Sequence, residues 1–205
     1  VQDINPAIRS LRRKPSSTAV VVLTPALGIG GTTAIFGAVN AVLLRPLPYP
    51  EPDQLTRIYK TTLVNADRIG GSVSPPDYAD WRRDNSSFAE MAANYSGSFA
   101  LTGQGGAEQV PAGLVTGGFF DVMGVHPALG RAITTADDPM GSRDVVVLSK
   151  EIWKRRFGSN PGVIGQQIVL DGVSYEVIGV MPDGFQYPLR AEIWVPLRFS
   201  ARDLE

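Results

Sequence analysis

Thirty consecutive residues, 15–44, carry no charged side chain; they read PSSTAVVVLTPALGIGGTTAIFGAVNAVLL. No other feature of the chain limits its fold so strongly. Four kinds of segment tolerate such a run: a membrane span, a helix buried in a core, a cleaved export signal, or the glycine-rich turn of a nucleotide-binding enzyme. Length separates them. Ala19 to Leu44 is 26 residues, about 39 Å as a helix rising about 1.5 Å per residue, and a bilayer core of about 30 Å needs about 20 residues. A core helix keeps a polar face, whereas the polar members here are Thr24, Thr32, Thr33 and Asn40, and no face is charged. An export signal has an apolar region of only about 7–15 residues before small residues at its cleavage site. This run continues through Val42-Leu43-Leu44 into Arg45. Arg12-Arg13 resembles a twin-arginine start, but Lys14-Pro15-Ser16 does not continue it.

Gly28-Ile29-Gly30 begins like G-x-G-x-x-G, yet Thr33 stands where the third glycine belongs. No carboxylate lies about twenty residues on to hold a ribose; Glu51 and Asp53 fall in a proline-rich stretch instead. The run is therefore read as a transmembrane helix over 16–45, with Pro25 expected to kink it near its start because proline lacks an amide donor. Gly30, Ala34, Gly37, Ala38 and Ala41 fall on one helical stripe. Small residues so spaced let membrane helices approach closely; the plainer alternative is that small residues are common in such helices.

Charge sets the orientation. Residues 1–18 carry Arg9, Arg12, Arg13 and Lys14 against Asp3 alone, a net +3, while 19–44 carry nothing. The formal net charge of −1 then leaves 45–205 at −4. Basic flanks stay cytoplasmic, so residues 1–15 are expected inside and 46–205 outside. Ile4, Ile8 and Leu11 recur at helical spacing with the arginines elsewhere, which suits a short amphipathic segment at the membrane surface; a frayed basic terminus is the alternative.

Beyond the run, Pro46, Pro48, Pro50 and Pro52 make a stiff connector, each ring fixing φ. Leu55 to Leu63 reads as a strand. Ser74 is placed to cap a helix opened by Pro75-Pro76, with Tyr78 and Trp81 on one face. Ser87 and Glu90 have capping-box spacing before a short apolar helix. Two strands follow, the second alternating Val110, Ala112 and Leu114 with Pro111, Gly113 and Val115. GGFFDVMGV reads as a short helix and DVVVLS as a buried strand. Ser149 caps KEIWKRRF, which Gly158 ends. QQIVLDGVSYEVIGVM is a hairpin across Asp171-Gly172, Asp183-Gly184 turns the chain again, and EIWVPL is a last strand. This pattern divides the exterior into two small α/β subdomains, roughly 50–138 and 139–200, joined at the Asp137-Asp138-Pro139 loop.

Chemistry is sparse. Cysteine is absent, which removes disulfides, thiol nucleophiles and thiolate zinc sites. His126 is the one histidine; no serine lies in G-x-S-x-G, and no P-loop is present. Asp137-Asp138 reads as a solvated turn rather than a metal site. Asn85-Ser86-Ser87 and Asn94-Tyr95-Ser96 fit the glycosylation pattern, which has meaning only in a secretory eukaryotic context. The acidic exterior has no Lys/Arg cluster beyond Arg82-Arg83 and Lys154–Arg156, so nucleic acid is not an expected partner. No catalytic, cofactor-binding or metal-binding residues are assigned, and the chain is expected not to be an enzyme.

LTPALGIGGTTAIFGAVNAVLLRPLPYPEPDQL resembles the first-helix signature of bacterial permeases related to MacB and FtsX, notably the duplicated permeases of acidobacteria. SPPDYADWRRDNSSFAEMAA, GLVTGGFFDVMGVHPALGR and DVVVLSKEIWKRRFGSNPGVIGQQIVLDGVSYEVIGVMPDGFQYP, with IWVPL, resemble the MacB-like periplasmic core domain. Pro25 departs from the leucine usual at that place. The resemblance implies an α+β chain: cytoplasmic segment 1–15, transmembrane helix 16–45, a partial porter-like subdomain 46–138, and a second, inserted subdomain 139–205. It implies a permease subunit of the bacterial inner membrane whose ATPase is separate or fused and whose motion is passed to the periplasmic domain. Implied partners are the remaining permease segments or a second permease subunit, an ABC ATPase, a periplasmic adaptor and membrane lipid. The family's remaining porter segment and later helices are expected after Glu205, making this an N-terminal piece. A membrane-anchored extracytoplasmic binding or sensing module is the alternative.

Overall fold

The computed structural model describes residues 15–39, 51–60, 71–103 and 106–204. The chain falls into two units, 1–48 and 49–205. The described part of the first is one helix, α1 (Pro15–Val39), 25 residues long with Pro25 inside it. Gly28 and Gly30 therefore lie in mid-helix, not in a phosphate-cradling turn. Its side chains are described at 19–20 and 22–37, and every one is exposed. Among the described residues no helix is long and apolar enough to cross a membrane. The hydroxyls of Thr24 and Thr32 donate back to the carbonyls of Val20 (2.8 Å) and Gly28 (2.9 Å), so both polar side chains are satisfied within the helix.

The second unit is built on seven strands: β1 (Asn94–Thr102), β2 (Glu108–Val115), β3 (Leu129–Gly130), β4 (Val145–Leu148), β5 (Gln167–Leu170), β6 (Val173–Val180) and β7 (Ile193–Pro196). They run in the order β3-β6-β4-β7-β2-β1-β5, and β5 also pairs with β6. Six strands thus close into a ring, with β3 added outside β6. Closure removes the unpaired edges that an open sheet would leave. Alternation along each strand decides which face a residue serves. Leu101, Val110, Ala112, Val146, Leu148, Ile168, Leu170, Val177, Ile193 and Val195 gather in one cluster with Ile152 and Val163. Val145, Val147, Ile178 and Trp194 join Val115, Phe119, Phe120, Met181 and Phe185 in the other. All four residues of β4 are buried because it contributes to both clusters.

Local signals placed three helices. In α2 (Pro75–Asp84) the Ser74 side chain caps by accepting from the Asp77 amide. The short α3 (Phe119–Val122) carries the buried Phe119 and Phe120. In α4 (Lys150–Phe157) Ser149 Oγ accepts from the Ile152 amide, and Gly158 closes the end in a left-handed conformation. The β5–β6 hairpin turns at Asp171 and Gly172, both at positive φ (49° and 81°), as a primed turn requires.

Three expectations are corrected. Residues 55–59 form no strand: the one pairing is a bridge of Lys60 with Gly71, and 61–63 lie outside the described residues. Arg57 instead lies over the Tyr59 ring, 4.8 Å from its centroid, and 55–59 pair with no strand among the described residues. Residues 87–93 form no helix. The Asn85 side chain accepts from the Ser87 and Phe88 amides and donates to the Phe88 carbonyl, closing a local turn that competes with a capping box. Glu90, the other half of that box, lies 3.5 Å from Arg82. The Asp137-Asp138 turn is not solvated: Asp137 is buried. In the second unit, strands from before and after residue 138 pair in one ring, β1 with β5 and β2 with β7.

Candidate functional site

The residues singled out in the sequence lie in α1, at its flanks and in the connector. Gly30, Ala34 and Gly37 are exposed on α1. A Cβ added at Gly30 or Gly37 would meet nothing within 4 Å, so the stripe is open along its described length. The Ala38 side chain, Ala41, the basic residues Arg9, Arg12, Arg13 and Lys14, and the connector residues Pro46, Pro48 and Pro50 lie outside the described residues. Pro52 is described and opens a 3-10 turn, Pro52–Gln54, in which the Leu55 amide donates to the Pro52 carbonyl at 3.3 Å. Leu55 then packs against the aromatic cluster of Phe119, Phe120 and Trp194. The chain's entrance into the body is therefore anchored by the half-buried Leu55, three residues after Pro52.

From there the chain is tied to α2. Lys60 Nζ pairs with an Asp77 carboxylate oxygen; that bond, with a further one from Ser74, holds the Asp77 carboxyl below its ordinary value. Tyr78 shares its hydroxyl with Thr116 Oγ1 (3.2 Å) and the Met91 carbonyl (3.4 Å), and its ring centroid lies 6.0 Å from that of Phe199. The segments by which the chain enters the body and leaves the sheet thus meet on one helix.

Behind α2 the paired aspartates act as staples. Asp137 takes a forked pair from Arg131 (2.7 and 3.0 Å), accepts from the Thr134 amide (2.9 Å) and closes a capping box with Thr134. Burial opposes ionisation of Asp137, but the Arg131 and Thr134 bonds outweigh it and hold the carboxyl below its usual range. Asp138 takes the Gly117 amide at 2.7 Å, yet burial prevails there and pushes its carboxyl upward. Gly117 is required sterically, since a Cβ there would run into the backbone of Thr134 and Thr135 at 2.2–2.5 Å. Arg198 joins the same loop, donating to Asp144 (2.6 Å), the Arg143 carbonyl (2.6 Å) and the Asp137 carbonyl (3.2 Å). His126 is exposed, 3.9 Å from Asp121. Among the described residues no three His, Cys, Asp or Glu side chains are grouped to hold a metal ion.

The profile of the MacB-like periplasmic core domain matches residues 18–205. The chain belongs to that family. The match begins inside α1 and takes in the whole MacB-like body. The periplasmic region of MacB from Actinobacillus actinomycetemcomitans shares the fold, with a TM-score of 0.52 at 23% identity over 61% of this chain and 55% of that one. This chain therefore spans little more than half of that region. The extracellular domain of the noncanonic ABC-type transporter YknZ from Gram-positive bacteria is similar at a TM-score of 0.43 and 23% identity, over 51% of this chain and 52% of that one. Curated proteins returned no match. The family is that of the MacB-like periplasmic core domain, and the fold is that of the MacB periplasmic region.

Residue-by-residue reading of the MacB-like body missed Lys60, Tyr78, Thr116, Arg131 and Arg198 as organising side chains. Only Asp137 carried a local signal, because Thr134 and Asp137 stand at capping-box spacing. Arg131 meets Asp137 six residues on, while Lys60, Tyr78, Thr116 and Arg198 are joined to Asp77, Thr116, Tyr78, Asp137 and Asp144 across 17 to 61 residues.

Proposed function

We propose that this chain is the first transmembrane helix and part of the periplasmic body of a permease subunit in an ABC-type export or mechanotransmission system. The observation that carries this reading is the family match over residues 18–205, joined to a helix of 25 residues without a charged side chain. In the sequence the uncharged run Ala19 to Leu44 is 26 residues, which as a helix would rise about 39 Å against a bilayer core of about 30 Å. The hydroxyls of Thr24 and Thr32 bond back to carbonyls of the same helix, as a lipid environment demands. In this reading the first helix spans 16–45. Residues 1–15 stay in the cytoplasm with Arg9, Arg12, Arg13 and Lys14 at the lipid surface, and 46–205 lie in the periplasm of the bacterial inner membrane. The body is divided into a porter-like part, 46–138, and an inserted part, 139–205.

Gly30, Ala34, Gly37, Ala38 and Ala41 pack against further permease helices or a second permease subunit. A cytoplasmic ABC ATPase drives displacement of the helix. The prolines at 46, 48, 50 and 52 pass it to Leu55 and the aromatic cluster, and a periplasmic adaptor receives it. The protein itself catalyses no reaction. Replacing the four prolines with a Gly/Ser linker in a complete permease is expected to abolish export while ATP hydrolysis continues. Export at the unaltered rate would remove the connector from the mechanism. Protease added to sealed right-side-out cells is expected to remove 46–205; full protection there would reverse the topology.

A further inference from the structure

We infer that α2 is a latch joining the segment by which the chain enters the body, 55–60, to the segment by which it leaves the sheet, 197–204, so that loosening either loosens the other. No residue of α2 is buried, so the helix belongs to neither core. A ten-residue helix is marginal by itself, and its place is set by side-chain contacts at its rim. Two neighbouring residues hold the two ends. Asp77 takes the Lys60 ammonium; Tyr78 sets its ring against Phe199. Adjacent residues on one helical turn move together, so release of one contact displaces the other.

The hydroxyl of Tyr78 adds a third tie, to Thr116 and the Met91 carbonyl. Thr116 is buried and clasps the end of β2 to the start of β1: its amide donates to the Ala93 carbonyl (3.0 Å), and the Ala93 amide donates to its Oγ1 (2.9 Å). On the leaving side, Phe199 follows Arg198, which is fixed to Asp144 and the 137–143 loop. The latch is thus a weakly held element beside the firmly fixed Thr116 and Arg198, the class of element that opens in sub-global fluctuations. Coupling through it is reciprocal by linkage.

Hydrogen exchange on the chain in detergent micelles tests this. The amides to follow are Lys60, which donates to the Gly71 carbonyl, residues 78–84 of α2, Asp203, which donates to the Ser200 carbonyl, and 145–148 of β4 as the control. Phe199→Ala is expected to raise exchange about two- to fivefold in α2 and at Lys60 as well, and Lys60→Met to raise it at Asp203, with β4 unchanged. Changes confined to the substituted side would overturn the latch. Should Phe199→Ala also raise exchange in β4, Tyr78→Phe decides, since it removes only the hydroxyl: faster exchange at both ends upholds the coupling, and faster exchange at one end or neither ends it.

Discussion

Val20-Val21-Val22 in α1 and Val145-Val146-Val147 in β4 are the same three residues in a row, and they finish in opposite environments. Val20 and Val22 are 64% and 57% exposed, whereas the β4 valines are at most 1% exposed. In β4, alternation sends Val146 into the ring interior and Val145 and Val147 against the aromatic cluster, so both faces are covered by the chain's own residues. In α1 the apolar side chains Leu23, Leu27, Ile29, Ile35 and Phe36 are exposed too, around the whole circumference. The lesson concerns cover rather than hydrophobicity. The same side chain is a core residue where a second layer covers it and a surface residue where none does. Under the proposed function, lipid and neighbouring helices supply the layer that α1 lacks.

The strongest way to break this comparison is one substitution made in both runs. Val147→Asp buries a carboxylate without a partner and is expected to cost at least about 4 kcal/mol, read as loss of the body's cooperative thermal transition. Val22→Asp is expected to leave that transition within about 0.5 kcal/mol while raising the cost of membrane insertion by about 3 kcal/mol. A body that unfolds with Val22→Asp would remove the contrast between the two runs.

Truncation gives the next largest contrast. Leu148→Ala, at a fully buried site, is expected to lose about 2–5 kcal/mol in urea denaturation. Leu27→Ala, at a site 74% exposed, should lose less than about 0.5 kcal/mol.

Polar groups sharpen the same contrast. In the body they are satisfied across the chain, and Asp137→Asn, which breaks the fork with Arg131, is expected to cost about 1–3 kcal/mol at neutral pH. Because the folded carboxyl of Asp137 is held low, its contribution is complete above the ordinary carboxylate pKa of about 3.9 and is lost as pH falls through the folded value. The variant should therefore show a flatter acid limb in a stability–pH profile. Asp138 has the opposite sign: its folded carboxyl is pushed up by burial, so the stability its protonated form contributes in acid is lost as pH rises through the carboxylate range. Asp138→Asn retains an acceptor for the Gly117 amide and is expected to be neutral or slightly stabilising at pH 7. In α1 the satisfaction is local. Thr32→Val, which removes only a bond to the carbonyl one turn back, should change the body's stability least of all, by under about 0.5 kcal/mol.

Features written in adjacent residues were legible without coordinates. The Ser74 and Ser149 caps, the Gly158 stop, the Asp171-Gly172 turn, the buried β4 and the uncharged helix each rest on contacts spanning a few residues, where residue type and backbone geometry are directly linked. The same local reading failed at 55–59 and 87–93. A strand needs a partner ladder that the sequence does not name, and the Asn85 side chain offered the backbone a competing set of bonds.

Closure of the ring belongs wholly to the tertiary structure. Leu101 meets Leu170 and Ala112 meets Ile193. Asp171, legible as a turn residue, also exchanges hydrogen bonds with the Ala100 backbone from 71 residues away (2.8 and 3.0 Å). The staples on Asp137 and Asp138 and the convergence of Lys60 and Phe199 on α2 were decided there as well. Periodicity tells a residue which face it occupies, but only the assembled layers determine what that face meets, and that determines whether a valine run becomes a core or a surface.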